Sequence, residues 1–269
     1  MQSRESLHQT KQVSQPARHH RLFNFIGIIL LTIFLLASVA NQTVMNEKFV
    51  AKQIAKSDIG TEIVTDVNNS ASQYGLDEKI MTKKIANELI ENAVGDVYAD
   101  REISIDFTPV YNRVDKLVND KLSDVGYSGT GLSSSLKSEL QSGLNSIINQ
   151  QMNTSELTNL EGELASAKTI LSVLWAGSGI LLVIMAIYAL IRRFLLQGLG
   201  WISLIGGVFS LLFLKVATVT GSDILSSQSS LSSLSPDLPN SIFGNGLVYG
   251  LGFIIVGAVL LVVSRLFKK

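Results

Sequence analysis

The chain contains no cysteine among its 269 residues. This absence excludes disulfide bonds, thiolate metal ligands and cysteine nucleophiles. Histidine is nearly as scarce, with three residues, and only 16% of the chain is charged. His8, His19 and His20 all lie in the polar N-terminal stretch, where two adjacent histidines on a flexible tail cannot face one preformed pocket. We therefore nominate no metal-binding residue.

The sequence motifs of catalysis are also missing. The chain has no Gly-rich phosphate loop, no HExxH or GxSxG motif and no paired catalytic carboxylates. The acidic group Asp96, Asp100, Glu102 and Asp106 lacks the glycine and the terminal glutamate that a calcium loop requires. We interpret this group as a solvated surface, and we predict a non-enzymatic protein with no catalytic residue and no cofactor.

Apolar sequence, in contrast, is abundant. Hydrophobic residues make up 46% of the chain, and the mean hydropathy is +0.33, which is too high for an ordinary soluble domain. Four apolar runs are long enough to cross a bilayer, at 22–40, 169–191, 201–219 and 242–264. The sequence predicts an all-α membrane protein with four transmembrane helices and an extracytoplasmic all-helical domain between spans one and two.

The first span has a second interpretation, a cleaved signal peptide. Ser38-Val39-Ala40 resembles a cleavage site, and the basic residues Arg18 and Arg21 resemble an n-region. The apolar run of 19 residues and the long preceding tail favour a retained anchor instead.

Basic residues flank the spans on one side only, and the positive-inside rule assigns that side to the cytoplasm. This pattern predicts a disordered cytosolic tail at 1–21, a cytosolic end at 265–269, and a cytosolic turn at 192–200 that joins spans two and three as a tight hairpin. The external parts are then the domain at 41–168 and a Ser-rich loop at 220–241. The three basic clusters are Arg18 with Arg21, Arg192 with Arg193, and Arg265 with Lys268 and Lys269.

Amphipathic stripes repeat through the external domain and predict four to five packed helices. One runs from Asn46 to about Tyr74, with Gly60 as an alternative break; a second is capped by Asp77, and a third begins with Thr108 as its N-cap. Residues 41–167 carry 11 Lys/Arg and 19 Asp/Glu, so their net charge is 11 − 19 = −8, which argues against a nucleic-acid partner. A domain of this size without cysteine favours a Gram-positive cell membrane.

The segment from Asn153 to Arg193 predicts one continuous helix, half in water and half in lipid. Asn153 and Glu156 have the spacing of a capping box, and the apolar stripe of the first half widens to cover every face from Thr169 to Ile191. Such a helix is about 60 Å long, roughly twice the hydrocarbon thickness of a bilayer. We expect it to join the external domain rigidly to the membrane bundle.

Small residues crowd the predicted spans, and one charge lies among them. The glycines permit close approach of helix backbones, either within the bundle or against another membrane protein. Lys215 is the only charged residue in a predicted span, near its outer end, where it either snorkels to the interface or serves an ion or lipid path. The predicted packing glycines are Gly177, Gly206, Gly246, Gly250 and Gly257.

The order of the segments is similar to that of FtsX- and MacB-type membrane subunits: a span, a large external domain, two more spans, a small external loop and a last span. This resemblance covers span order only and implies a permease subunit that couples a cytosolic ATPase to an external domain. Our leading hypothesis is a bacterial membrane protein whose external domain binds or senses an envelope component. The permease subunit is the alternative, and a transporter or pore is the third. The partners expected are the lipid bilayer and either another membrane protein or a cytosolic ATPase.

The basic clusters make the predicted topology testable by reporter fusions. A fusion at Gln150 should report the external compartment and a fusion at Gln197 the cytoplasm, as should a C-terminal fusion that serves as the control. A cytoplasmic signal at Gln150 would contradict the whole topology.

Overall fold

The structure is a computed structural model that describes residues 18–73, 79–99, 106–124, 155–227 and 232–267, together with 101, 138 and 142. Throughout these residues the regular secondary structure is helical, with no strand, which confirms an all-α protein. The helices are α1 (Arg18–Gln42), α2 (Glu47–Lys56), α3 (Asp58–Gln73), α4 (Lys83–Tyr98), α5 (Thr108–Asp124), α6 (Ser155–Ile191), α7 (Leu195–Ser227) and α8 (Asp237–Leu266), with a 3₁₀ turn at Ser232–Leu234.

Four of the helices are long and apolar enough to cross a membrane, so the protein is a multi-pass membrane protein. They are α1, α6, α7 and α8, in the order predicted from the apolar runs. Helix α6 is a single helix of 37 residues. The proposed cap Asn153 lies outside the described residues, as does most of the predicted cytosolic tail.

Helix α1 occupies the middle of the bundle. It packs along both α6 and α7, whereas α7 packs most extensively along α8. Helices α6 and α7 are joined by three residues, Arg192 to Phe194, with Arg193 in the left-handed region at φ 59°. They nevertheless share few contacts, so the short connection does not produce a packed helical hairpin. Helix α7 also begins at Leu195, within the segment expected to be a turn.

Glycines set the closest helix contacts, above all between α7 and α8. A Cβ added to Gly257 would lie 2.5 Å from the backbone nitrogen of Leu204 and 2.8 Å from the carbonyl oxygen of Gly200. A Cβ on Gly250 or Gly246 would instead meet a leucine side chain, at 2.4 Å and 2.0 Å respectively. A side chain at Gly257 is therefore tolerated least of the three, because neither backbone can move aside without moving its helix.

Two other predicted packing glycines behave differently. Gly206 receives Leu31 of α1, whose Cδ2 would be 2.9 Å from an added Cβ. Gly177 on α6 has nothing within 4 Å of that position, so no close helix contact requires a glycine there in the described structure. Sequence reasoning did not single out Gly27, where an added Cβ would lie 2.4 Å from the Ile202 side chain.

Helices α2 to α5 form a separate helical domain, which we call the α2–α5 domain. Its main core joins α3, the segment before α4, and α5, and it includes the fully buried side chains of Val67, Met81 and Val110. Asn68 fixes the segment before α4, because its amide donates to the Met81 carbonyl and accepts from the Met81 N–H, both at 2.9 Å. A second cluster around Ala51 and Ile90 joins α2 to α4.

The helix boundaries in this domain depart from the predicted ones. The first helix begins after Asn46, whose side chain accepts from the Phe49 N–H at 3.2 Å, but it breaks at Ser57 rather than Gly60. Gly60 has a different role: an added Cβ would lie 2.5 Å from the Ala55 carbonyl oxygen, so the glycine lets α3 turn tightly against the end of α2.

The next two helices begin with caps other than the predicted ones. Thr82 is the N-cap of α4, with its hydroxyl accepting from the Ile85 N–H at 3.3 Å, whereas the predicted cap Asp77 lies outside the described residues. Thr108 is the first residue of α5 rather than its cap, because the Phe107 carbonyl accepts the first helical hydrogen bond, from the Tyr111 N–H at 3.0 Å. The Asp106 carboxylate accepts from the Thr108 N–H at 2.9 Å.

The α7–α8 contact yields a matched pair of substitutions. Gly257→Ala should destabilise the bundle by about 1–3 kcal/mol, because the new methyl group collides with backbone atoms. Gly252→Ala, five residues earlier on the same helix, has nothing within 4 Å and should be neutral or stabilising by up to about 1 kcal/mol through helix propensity. SDS-induced unfolding of the purified full chain in mild detergent measures both. Equal stability of the two variants would contradict the close backbone contact.

Candidate functional site

The junction between the α2–α5 domain and the bundle begins at the end of α1. Only four residues, 43–46, separate α1 from α2, and Thr43 is buried with its hydroxyl donating to the Val39 carbonyl at 2.7 Å. The Tyr98 hydroxyl at the end of α4 donates to the Val44 carbonyl. This bond holds the last residue of α4 against the connection between α1 and α2, so the end of α4 and the start of α2 are fixed at the same place.

Two further hydrogen bonds tie the first half of α8 to the same place. The Ser241 hydroxyl donates to the Gln53 side chain of α2 at 3.3 Å. The Tyr249 hydroxyl donates to the Gln42 side chain at the end of α1. We call this end of the bundle the domain end. The α2–α5 domain therefore rests directly on the helix ends rather than hanging from a linker.

An apolar cleft of about 740 Å³ lies near the domain end, between α1, α6, α7 and the start of α8. Its walls include Ala40 of α1, Leu171 and Leu174 of α6, and Phe213 and Ala217 of α7. The cleft exists because α6 and α7 both lean on α1 instead of on each other. Its size and its nearly complete lack of polar atoms suit an acyl chain or a similarly apolar group.

Polar anchoring between α1 and α6 occurs beside this cleft. The Trp175 indole N–H donates to the Ser38 hydroxyl at 3.0 Å, and the Trp175 ring stacks on Phe34 with centroids 5.9 Å apart. Ser38 in turn donates to the Phe34 carbonyl at 2.7 Å, which satisfies its hydroxyl within the helix. Sequence reasoning missed this pair, since the only available signal was a tryptophan near a span end.

Lys215 lies on an exposed face of α7 and does not line the cleft. Its ammonium nitrogen is 5.2 Å from the centre of the Phe243 ring on α8, within cation–π range. Lys215 is 20 residues from the start of α7, a rise of about 30 Å, which equals the hydrocarbon thickness. This rise agrees with the expectation that Lys215 snorkels to the interface, which stays a prediction.

The predicted acidic group is only partly described. Asp96 forms an ion pair of 2.9 Å with Arg101, whereas Asp100 and Glu102 lie outside the described residues. Hydrogen bonds from Thr108 lower the pKa of the Asp106 carboxyl below its usual value. Over the described ranges, no group of three or more His, Cys, Asp or Glu side chains is placed to hold a metal ion.

Comparison with known proteins gives no relative: no family model, no curated protein and no solved structure matches the chain.

The Tyr98 bond at the junction predicts an alkaline loss of stability. Burial, and secondarily the Glu47 carboxylate, raises the pKa of Tyr98 from 10.0 to about 12. An unfolded tyrosine releases its proton near pH 10 while the folded one keeps it, so the stabilisation is complete below pH 10 and is lost as pH rises towards 12. Tyr98→Phe should flatten this loss and cost about 1 kcal/mol at pH 8 through the missing hydrogen bond.

Thermal unfolding of the full chain in detergent, followed by circular dichroism between pH 8 and pH 11, measures both effects. Tyr111→Phe is the control at pH 8, because the buried Tyr111 hydroxyl has no hydrogen-bond partner in the described structure and its loss should cost little. An unchanged pH 8 stability in Tyr98→Phe would show that the junction bond contributes nothing.

Proposed function

We propose that this protein is a non-enzymatic, multi-pass protein of a bacterial cell membrane, in a Gram-positive organism. Its helical domain faces outward, binds or senses a component of the envelope, and passes its state to the membrane bundle. Both termini face the cytoplasm. The observation that carries the proposal is the continuity of α6, which runs without a break from the domain side through the apolar span, from Ser155 to Ile191.

The packing of α6 gives this transmission a route. Helix α6 is the least buried of the four spans, with 6% of its most apolar window buried, and it leans mainly on α1. Helix α4 also contacts α6, so a movement of the domain reaches this helix directly. Because α6 forms one wall of the apolar cleft through Leu171 and Leu174, a tilt or rotation of α6 changes the width of the cleft. The bundle thereby registers the state of the domain.

The other two candidate functions share parts of this mechanism. In a permease subunit coupled to a cytosolic ATPase, α6 would carry a movement from the membrane bundle to the domain instead. A neighbouring ATPase gene would favour this function. A transporter or pore for ions fits less well, because the cleft between the spans is apolar rather than polar. We keep the binding and sensing function as the conclusion.

The continuity of α6 can be broken without removing either part. Inserting two glycines after Ala167 rotates the helix by about 200° and costs about 2 kcal/mol of helix propensity. The control replaces the exposed residues Ala165 and Ser166 by glycine, which imposes a similar propensity cost with no rotation. In a deletion strain with a measured phenotype, the control should complement and the insertion should not, at equal membrane abundance.

Full complementation by the insertion variant would contradict transmission through α6. The α2–α5 domain would then be a binding module tethered to the membrane. Failure of both variants would show that helix stability, rather than register, limits the function.

A further inference from the structure

A basic groove lies between α2 and α4 in the otherwise acidic α2–α5 domain. Lys48, Lys52 and Lys56 follow one another at intervals of four residues on α2, so they lie along one face, and all three are exposed. We call them the lysine stripe. They border a groove of about 370 Å³ that is also lined by Ala51 and Ala55 of α2. The small alanine side chains leave room between the two helices.

The lysine stripe carries uncompensated charge. Across the described residues, no ion pair joins any of the three lysines to a carboxylate. The side chains contributed by α4 are Asn87 and Glu91, so the groove holds three positive charges and one negative charge, a net charge of +2. This charge is opposite in sign to the net charge of −8 over residues 41–167. The groove is thus a positive site on a domain of net negative charge, and it is complementary to an anion.

The position of α2 places the lysine stripe beside the end of the membrane bundle. Helix α2 begins five residues after the last residue of α1, a membrane-spanning helix. Gln53 of α2 accepts the hydrogen bond from Ser241 at the start of α8, another spanning helix. At about 100° per residue, Gln53 is about 60° around α2 from Lys56 and about 100° from Lys52, so it is the Lys56 end of the lysine stripe that borders the face resting on the bundle.

We propose that this groove binds the phosphate of an anionic lipid headgroup in the leaflet at the domain end. Lysines next to a membrane surface attract anionic lipids, each by about fivefold in affinity. Asn87 supplies a hydrogen-bonding amide for a polar headgroup, and Glu91 disfavours headgroups of high negative charge. The groove therefore suits a phosphodiester with one charge, such as phosphatidylglycerol. This inference rests on the proposed function, since it names the envelope component that the domain binds.

Native mass spectrometry of the full chain in detergent tests the proposal. The protein is mixed with equal amounts of phosphatidylglycerol and phosphatidylcholine that carry identical acyl chains, so that binding in the apolar cleft cancels. The native chain should prefer phosphatidylglycerol by about tenfold or more. The preference should also weaken as ionic strength rises, because the lysines are exposed.

Two triple variants locate the binding site. Lys48→Gln, Lys52→Gln and Lys56→Gln together should abolish the preference while leaving the helical circular dichroism unchanged. The matched control is Lys79→Gln, Lys83→Gln and Lys84→Gln, which removes three exposed lysines from the segment before α4 and its first turn and should keep the preference. Equal loss in both variants, or no loss in the first, would overturn the proposal.

A soluble phosphate separates the lipid from other sources of the same chemistry. Glycerol 3-phosphate at millimolar concentration should displace little phosphatidylglycerol, because it lacks the membrane-bound position of the headgroup. Displacement as effective as that by phosphatidylglycerol itself would assign the groove to a soluble anion and overturn the lipid assignment. Lipid binding is measured here without any phenotype, so its failure is distinguishable from a failure of transmission through α6.

Discussion

Helices inside a bilayer are already out of water, so the hydrophobic effect does not drive them together. Their association depends on close packing instead. In this protein the closest packing is between α7 and α8, where Gly257 lies on the backbone of Leu204. Helix α1 then fits against α7 through Gly27 and Gly206, again at positions without a side chain. The bundle is therefore built around α1, α7 and α8, with α6 attached at its side.

The lateral attachment of α6 connects the packing to the proposed activity. A helix held on one flank is freer to shift than one enclosed by neighbours, and its contacts with α1 are specific ones, such as the bond from Trp175 to Ser38. The α2–α5 domain, in contrast, is held by hydrogen bonds from Tyr98 to the Val44 carbonyl, just after α1, and from Ser241 of α8 to Gln53. The domain is thus anchored to α1 and α8 and also contacts α6, the helix that the proposed transmission requires to move.

Much of the architecture follows from hydropathy. Four apolar runs predicted four long helices, and the structure confirms them, because a span of about 20 apolar residues has no other stable form in lipid. The apolar stripes also located the helices of the domain. Their ends were less predictable: the break at Ser57 depends on the fit of Gly60 against Ala55, a tertiary contact that no local propensity encodes.

The order of helices around α1 and the cleft could not be predicted in the same way. A span that is apolar on every face carries no signal for its neighbours, and Gly177 illustrates this, since its local sequence resembles that of the true contact glycines. The cleft results from two helices that do not touch, which is a property of the whole bundle. The lysine stripe was visible as a spacing of four residues, but its position beside α4, and the bond from Ser241 to the neighbouring Gln53, could be read only from the structure.

The length of α6 has a mechanical consequence. A straight helix adjusts to a thinner bilayer by tilting, and the ends of a rigid helix move farther the longer they extend beyond the membrane. Helix α6 extends nine residues before the start of its apolar span at Leu164, about 14 Å of lever. A tilt of about 20°, which is ordinary for membrane helices, displaces the tip of that lever by about 5 Å. Under the proposed transmission, a change in membrane thickness would therefore reach the domain as a displacement of this tip.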